Sequence, residues 1–283
     1  MKNRIILLLT FSLAVFSTAM FAQTPPLLAR TIVKTDKFDF RAGGTLTITG
    51  APNGSIRVIG TGKNEIEITA EIKIQAQNES DLNRLAEGTG FVTDDSAIRA
   101  SIITVGGHNK FGLKKLPKGF PKNLADMPFR VDYVISVPQY CDLEIDGGKG
   151  DLSINGVEGS MRINFLETNA KIDVIAGELT ITAGSGTVDV TLGVRGWRGR
   201  AASIQVATGN LKVRLPSNMS AEIDAVILYN GSIDNSLPDL KPRDRKVPFT
   251  DKSIIAKTGP GGPRLKFTVG DGIIKIEPLV PPL

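Results

Sequence analysis

This sequence predicts an all-β chain wound as a single-stranded parallel β-helix, or solenoid, with two short strands per rung. A β-sandwich is the alternative. Three observations carry the prediction. From Cys141 to Asn235 one phrase recurs, apolar, polar, apolar and then a turn-forming residue: CDLEIDGG, GDLSING, GSMRINF, AKIDVIAG, GELTITAGSG, GTVDVTLG, ASIQVATG, GNLKVRLP, AEIDAVI and GSIDN. The phrases recur at near-regular spacing. One column of inward residues runs through Leu143, Met161 and Leu179, at steps of 18 and 18, and resumes at Leu211 after 32. A second runs through Leu152, Ile172, Val188, Ile204 and Ile223, at steps of 20, 16, 16 and 19. Two interleaved columns describe a stack in which each repeat rests on its neighbours. A β-sandwich also spaces its strands by about 8–12 residues, which keeps it as the alternative.

The third observation is alternation inside each phrase, as a half-buried strand requires. Leu152 and Ile154 face inward between Asp151, Ser153 and Asn155; Met161, Ile163 and Phe165 face inward between Arg162 and Asn164. Burying one such aliphatic side chain is worth about 1.5–3 kcal/mol, against about 1–2 kcal/mol to fix each residue's backbone. No rung stands alone on that balance.

Taken in order, the chain opens with Lys2 and Arg4 before an apolar run from Ile5 to Phe16, with small residues at Ser17, Ala19 and Ala22. Residues 1–22 read as a signal peptide cleaved after Ala22 or Ala19. The run is shorter than the roughly 18–20 residues of a membrane span. Residues 23–283 are then expected to form one domain: a β block with one helix over 23–105, a basic loop over 106–130, and the repeat coil with terminal strands over 131–283. Residues 31–74 hold KFDF, GTLTITG, GSIRVIG and NEIEITAEIKI, with Asn53-Gly54 suiting a hairpin or a solenoid corner. The one helix is predicted over Ser80 to Glu87, capped by Ser80 with Gly88 beyond its end, covering an end or a face of the sheet. Strand character returns from Ala97 to Val105.

Residues 106–130 break the rhythm. Lys110, Lys114, Lys115, Lys118, Lys122 and Arg130 face a single Asp126, with Phe111, Phe120 and Phe129 interleaved. Such a loop suits an anionic polymer or membrane surface, or is a solvated excursion whose phenylalanines return to the sheet. It also holds the only histidine, His108, and a lone histidine makes neither a metal site nor a triad. The loop GVRGWRGR at 193–200 places the only tryptophan, Trp197, between Arg195 and Arg198, with Arg200 beyond. Tryptophan flanked by arginine stacks on sugars and pairs with carboxylate or phosphate groups; the structural alternative is a corner insertion whose Trp197 caps a gap in the core. Candidate contact residues are therefore Arg195, Trp197, Arg198, Arg200, Lys114, Lys115 and Lys118. Residues 238–263 read as an irregular connection, RLKFTVGDGIIKIEPL as two strands around Gly270-Asp271-Gly272, and Val280 to Leu283 as a proline-rich tail.

The formal charge of +5 includes Lys2 and Arg4, so the exported chain is only mildly basic and does not read as a nucleic-acid binder. One cysteine, Cys141, excludes an intrachain disulfide and sits in phase with Leu143 and Ile145, as a small buried hydrophobe would. HExxH, GxSxG and phosphate-binding glycine motifs are absent, and GGKGD at 147–151 lacks the Walker spacing. Asp173, Asp189 and Asp224 fall on outward positions of the second column, where stacked carboxylates would repel or share a cation such as calcium. A solvated face compensated by Lys171 and Arg162 is the alternative.

Four stretches carry a family resemblance: GTLTITGAPNGSIRVIGTGKNEIEITAEI, RVDYVISVP leading into CDLEIDGGKGDLSINGVEGS, GELTITAGSGTVDVTL, and GPGGPRLKFTVGDGIIKIEP. Together they resemble the bacterial putative-adhesin family of extracytoplasmic β-solenoid proteins, whose domain is one of unknown function. The resemblance spans most of residues 38–278. It implies a secreted or surface-associated solenoid with an adhesive role and no catalytic residues to carry over. The stretches 106–130 and 193–200 look longer than the family pattern. The expectation is an exported, non-enzymatic interaction module in the periplasm, on the outer surface or outside the cell. It needs no cofactor, and its partner is an anionic envelope polymer, a glycan or a protein. The alternatives are an envelope-stress or regulatory accessory protein, and then a carbohydrate-active enzyme on a β-helix.

Overall fold

A computed structural model describes residues 27–107, 121–193, 198–238 and 240–279. The expected signal segment 1–22 and the tail from Val280 lie outside the described residues. The chain is all-β. The amino-terminal block holds β1 (Leu28–Asp39), β2 (Gly44–Thr49), β3 (Ile56–Thr61), β4 (Glu65–Ala76), helix α1 (Glu79–Gly88), β5 (Gly90–Asp95) and β6 (Arg99–Val105). Then follow a short helix α2 (Lys122–Ala125), β7 (Phe129–Pro138), β8 (Cys141–Lys149), β9 (Leu152–Asn155), β10 (Met161–Val174), β11 (Leu179–Leu192) and β12 (Ala201–Leu215). The chain closes with β13 (Ala221–Ile227), β14 (Gly231–Asn235), β15 (Lys241–Pro242), β16 (Ser253–Thr258) and β17 (Arg264–Pro278).

The four long strands β10, β11, β12 and β17 each run through two half-sheets, an entry half and an exit half. The entry half is ordered β5-β6-β2-β8-β10-β11-β12-β17-β13-β16-β15 and the exit half β1-β4-β7-β3-β9-β10-β11-β12-β17-β14. The middle of each half is parallel; both ends of the entry half are antiparallel, through β5–β6, β13–β16 and β15–β16, whereas the exit half is antiparallel only at its β1–β4 and β4–β7 end and keeps β14 parallel to β17 at the other. The orientation is thus mixed rather than uniformly parallel.

Alternation explains how both halves reach one core. In β10, Met161, Ile163 and Phe165 are buried; Leu166 and Glu167 are both exposed; then Thr168, Ala170, Ile172 and Val174 are buried. The two-residue step is a corner that resets the parity, so the apolar faces on either side of it join a single cluster. Successive rungs are pinned by polar contacts between residues 18 apart. Asn164 Nδ2 donates to Asp146 at 2.8 Å, Asn169 Nδ2 to Asp151 at 3.2 Å, and Lys149 pairs with Glu167 at 3.2 Å.

The inward column Leu143, Met161, Leu179 is present in register, but it continues into Ala202, Leu265 and Ile223, not Leu211. Leu211 belongs to the other column: Leu152, Ala170, Val188, Leu211, Ile274 and Ile233. The second column drawn from sequence already departs at Ile172, which pairs with Ile154 and Val190, and it crosses between halves after Val188, because Ile204 and Ile223 lie in the entry half. Two features cause the crossing. The insertion at 193–200 lengthens one step, and the carboxy-terminal strand β17 inserts between β12 and β13 instead of following in chain order.

Of the two forms expected at Asn53-Gly54, the structure has the corner, because β2 and β3 sit in different halves with different partners. Other expectations are corrected. The residues around Asp271 are one bent strand, and 238–263 contains β15 and β16. Helix α1 begins earlier than expected, capped by Asn78, whose Oδ1 accepts from the Asp81 N–H at 2.9 Å; Ser80 lies inside the helix. Leu82 and Leu85 bury its apolar stripe, and the helix packs against β1 and β4. The short α2 was not expected at all.

Candidate functional site at the connector edge

Parallel strands must all be entered from the same side, so every connection leading back into the entry half lies along one edge. Among the described residues they include 156–160 before β10, 175–178 before β11, 193 and 198–200 before β12, 216–220 before β13 and 259–263 before β17. Repeat stacks gather their insertions on one such face, and that face is often the binding face. Here the first two connections are short and hold the 18-residue step. The third is longer, so the step from Leu179 to its register partner Ala202 is 23.

The edge carries a shallow groove of about 210 Å³ spanning successive rungs. Asp142 and Glu144 come from β8, Ser160 and Arg162 from the start of β10, and Glu178 and Thr180 from the start of β11, with Thr45 of β2 at one end. Strand alternation turns these residues outward while buried Leu143 and Met161 hold the rungs in the core. The Ser160 N–H donates to Asp142 Oδ1 at 2.7 Å, Arg162 pairs with Glu144 at 3.2 Å, and Thr47 Oγ1 donates to Glu144 at 3.3 Å. The groove thus presents carboxylate acceptors, one guanidinium and several hydroxyls at the strand repeat of about 4.8 Å. That set accepts from and donates to closely spaced hydroxyl groups.

Arg198 is fixed beside this groove. Its guanidinium lies 2.6 Å from Glu158 Oε2, and Gln139 Nε2 donates to the other Glu158 oxygen at 2.7 Å. The Glu158 side chain is only 8% exposed, and this pairing ties the end of the long insertion to the connection before β10, two rungs back. Arg200 is exposed immediately before β12. Arg195 and Trp197 lie outside the described residues, as do His108, Lys114, Lys115 and Lys118. Of the basic stretch's phenylalanines, Phe129 is buried at the start of β7.

The three aspartates do not form a column. Asp173 is in register with Thr191; Asp189 sits between Lys171 and Lys212 and receives both Arg214 nitrogens, at 2.6 and 2.9 Å; Asp224 lies in the other half and pairs with Arg243. Cys141 is buried, and burial pushes its thiol up to about 12, out of the range of a nucleophile.

The groove was missed from sequence, although Asp142, Ser160 and Glu178 follow one another at 18-residue steps, as do Glu144, Arg162 and Thr180. The signal was there; outward polar residues simply look like any solvated face.

No helix among the described residues is long and apolar enough to cross a membrane. No family model matches the sequence, and no curated protein matches it. Among solved structures, the chain is similar to a putative cell adhesion protein from Clostridium sporogenes, at 16% identity over 88% of this chain and 100% of that one, with a TM-score of 0.46. It is similar also to a putative adhesin from Bacteroides fragilis, at 12% identity over 88% and 97% with a TM-score of 0.33. A putative lipid binding protein from Parabacteroides distasonis matches at 10% identity over 88% and 97%, with a TM-score of 0.28.

Proposed function

We propose that the chain is an exported, non-enzymatic and adhesin-like interaction module that binds a hydroxyl-rich glycan of the cell envelope along its connector edge. The observation that carries this reading is the groove, which sets polar groups of three successive rungs side by side on a rigid apolar core. The parallel midsection is taken as a short solenoid closed by antiparallel strands at every end but that of β14. Such a frame presents its groups without an ordering cost at binding. Export rests on the basic and then apolar sequence of residues 1–22. The non-enzymatic reading is supported by the dispersal of Asp173, Asp189 and Asp224, two of which are held by arginines. Carboxylates in the groove favour a neutral glycan over an anionic one there, by simple repulsion.

The test is an array of envelope glycans and peptidoglycan fragments probed with the purified mature chain. Charged hydrogen bonds are worth about 1.5–3 kcal/mol. The double variant Glu144→Gln, Glu178→Gln is therefore expected to bind at least about tenfold more weakly with an unchanged Tm. Trp197→Ala on the neighbouring insertion is the companion variant. Equal binding by wild type and both variants, or turnover of a bound glycan, would reject the reading.

A further inference from the structure

A second cavity, of about 320 Å³, lies at the far end of the same edge and has no part in the groove. It is formed by the turn before β13, with Ser217, Asn218 and Ser220, by Lys257 and Thr258 at the end of β16, and by Lys241 of β15. Lys241 and Lys257 are register partners of the antiparallel β15–β16 pair, so both ammonium groups leave the same face of the ladder. Like charges directly opposite each other are unfavourable unless something neutralises them.

Across the β13–β16 ladder Lys257 does face one carboxylate, its register partner Glu222, but no ion pair joins the two. The nearby carboxylates are taken by arginines: Arg243 pairs with Asp224 and reaches Glu222 at 3.8 Å, and Arg264 reaches Glu222 at 3.7 Å. Neither lysine has a carboxylate partner among the described residues. The wall around them is nevertheless built. Thr258 Oγ1 donates to the Met219 carbonyl and accepts from the Ala221 N–H at 2.9 Å, and the Met219 N–H closes the turn onto the Pro216 carbonyl at 3.0 Å. Within that fixed wall the hydroxyls of Ser217 and Ser220 and the amide of Asn218 make no hydrogen bond to the described chain.

We propose that this cavity binds a phosphomonoester. Two compact ammonium charges with surrounding hydroxyl and amide donors suit a tetrahedral dianion, which lysine recognises as a point charge rather than through a planar fork. The volume reaches the lower end of small-molecule sites. It is several times what a bare oxyanion occupies when a water takes about 30 Å³, so the organic part of the ester is held as well. This site stands independently of the glycan groove.

The experiment is calorimetric titration of the full mature chain with glucose 6-phosphate, glycerol 3-phosphate, inorganic phosphate and glucose. A second arm uses vesicles containing phosphatidic acid, which presents the same group on a lipid. The phosphate esters are expected to bind, glucose not to, and inorganic phosphate more weakly. Lys241→Gln and Lys257→Gln are each expected to weaken ester binding by about tenfold, with Tm unchanged because both side chains are exposed. Binding of the soluble esters alone assigns a small-molecule source. Vesicle binding lost in the double variant assigns a lipid one. Absence of binding to both the soluble esters and the vesicles, or binding unaltered in the double variant, overturns the site. Inorganic phosphate bound as tightly as the esters overturns the ester assignment.

Discussion

At Gly209 the backbone of β12 turns from one half-sheet into the other with φ 135°, and an added Cβ would sit 1.9 Å from the Gly186 carbonyl oxygen of the rung beneath. The carbonyl is main chain and part of the stacked ladder, so it cannot swing aside as a side chain would. Strained φ and overpacking each cost about 1–3 kcal/mol. Gly209→Ala is accordingly expected to destabilise the protein by about 3–5 kcal/mol in chemical denaturation. The register partner of Gly186 in β10 is Thr168, which makes the opposite point. Its hydroxyl is buried without a hydrogen-bond partner, the one such side-chain atom among the described residues. Desolvating an unpaired hydroxyl costs stability that a methyl group of the same shape does not. Thr168→Val should therefore stabilise by about 1 kcal/mol, raising Tm by about 2–4 °C in a chain of this size. A fall in Tm would mean that the hydroxyl has a partner in solution.

Helix α1 shows how an element can be found correctly while its boundary is not. Asn78, Ser80 and Asp81 are all cap-forming types within four positions, and sequence alone does not rank them. The structure does: Asn78 accepts from Asp81 N–H and also donates to its carboxylate at 2.9 Å, with Glu79 and Asp81 placed where the helix dipole favours acids. Asn78→Ala is expected to cost about 1 kcal/mol and Ser80→Ala close to nothing, measured side by side by urea denaturation. The strands were more legible, because burial repeats every second residue and the turn residues repeat with it. Leu143, Met161 and Leu179 could be aligned by counting 18. In the other half the count slipped by two at Ile172, where Ala170 is the residue in register with Leu152 and Val188; it failed outright where 193–200 intervenes, and it could not foresee β17, since an insertion of the last strand between two earlier ones leaves no local trace. The site follows the same division. Arg198 was legible as part of an unusual loop, and the groove residues obey the 18-residue step. Lys241 and Lys257 meet across an irregular segment with no periodicity to reveal them.

The placement of β17 decides how the whole molecule holds together. In a simple repeat stack each unit touches only its neighbours, so removing the last one frays an end and spares the rest. Here the last strand in sequence is internal in space. β17 pairs with β12 along one side, and with β13 and then β14 along the other. Its Leu265, Phe267, Val269, Ile274 and Ile276 are fully buried. Each such side chain contributes about 1.5–3 kcal/mol, so the five together match the 5–15 kcal/mol by which a typical domain is stable. A chain ending at Gly262 therefore loses the seam between its central and carboxy-terminal strands, not a terminal rung. It is expected to show no cooperative melting by circular dichroism, and rapid cleavage by a dilute protease within β12 to β16. If that truncated chain instead melts cooperatively near the full-length temperature, β12 must be able to pair with β13 directly. The order of strands would then be a preference of the complete chain and not a requirement of its core.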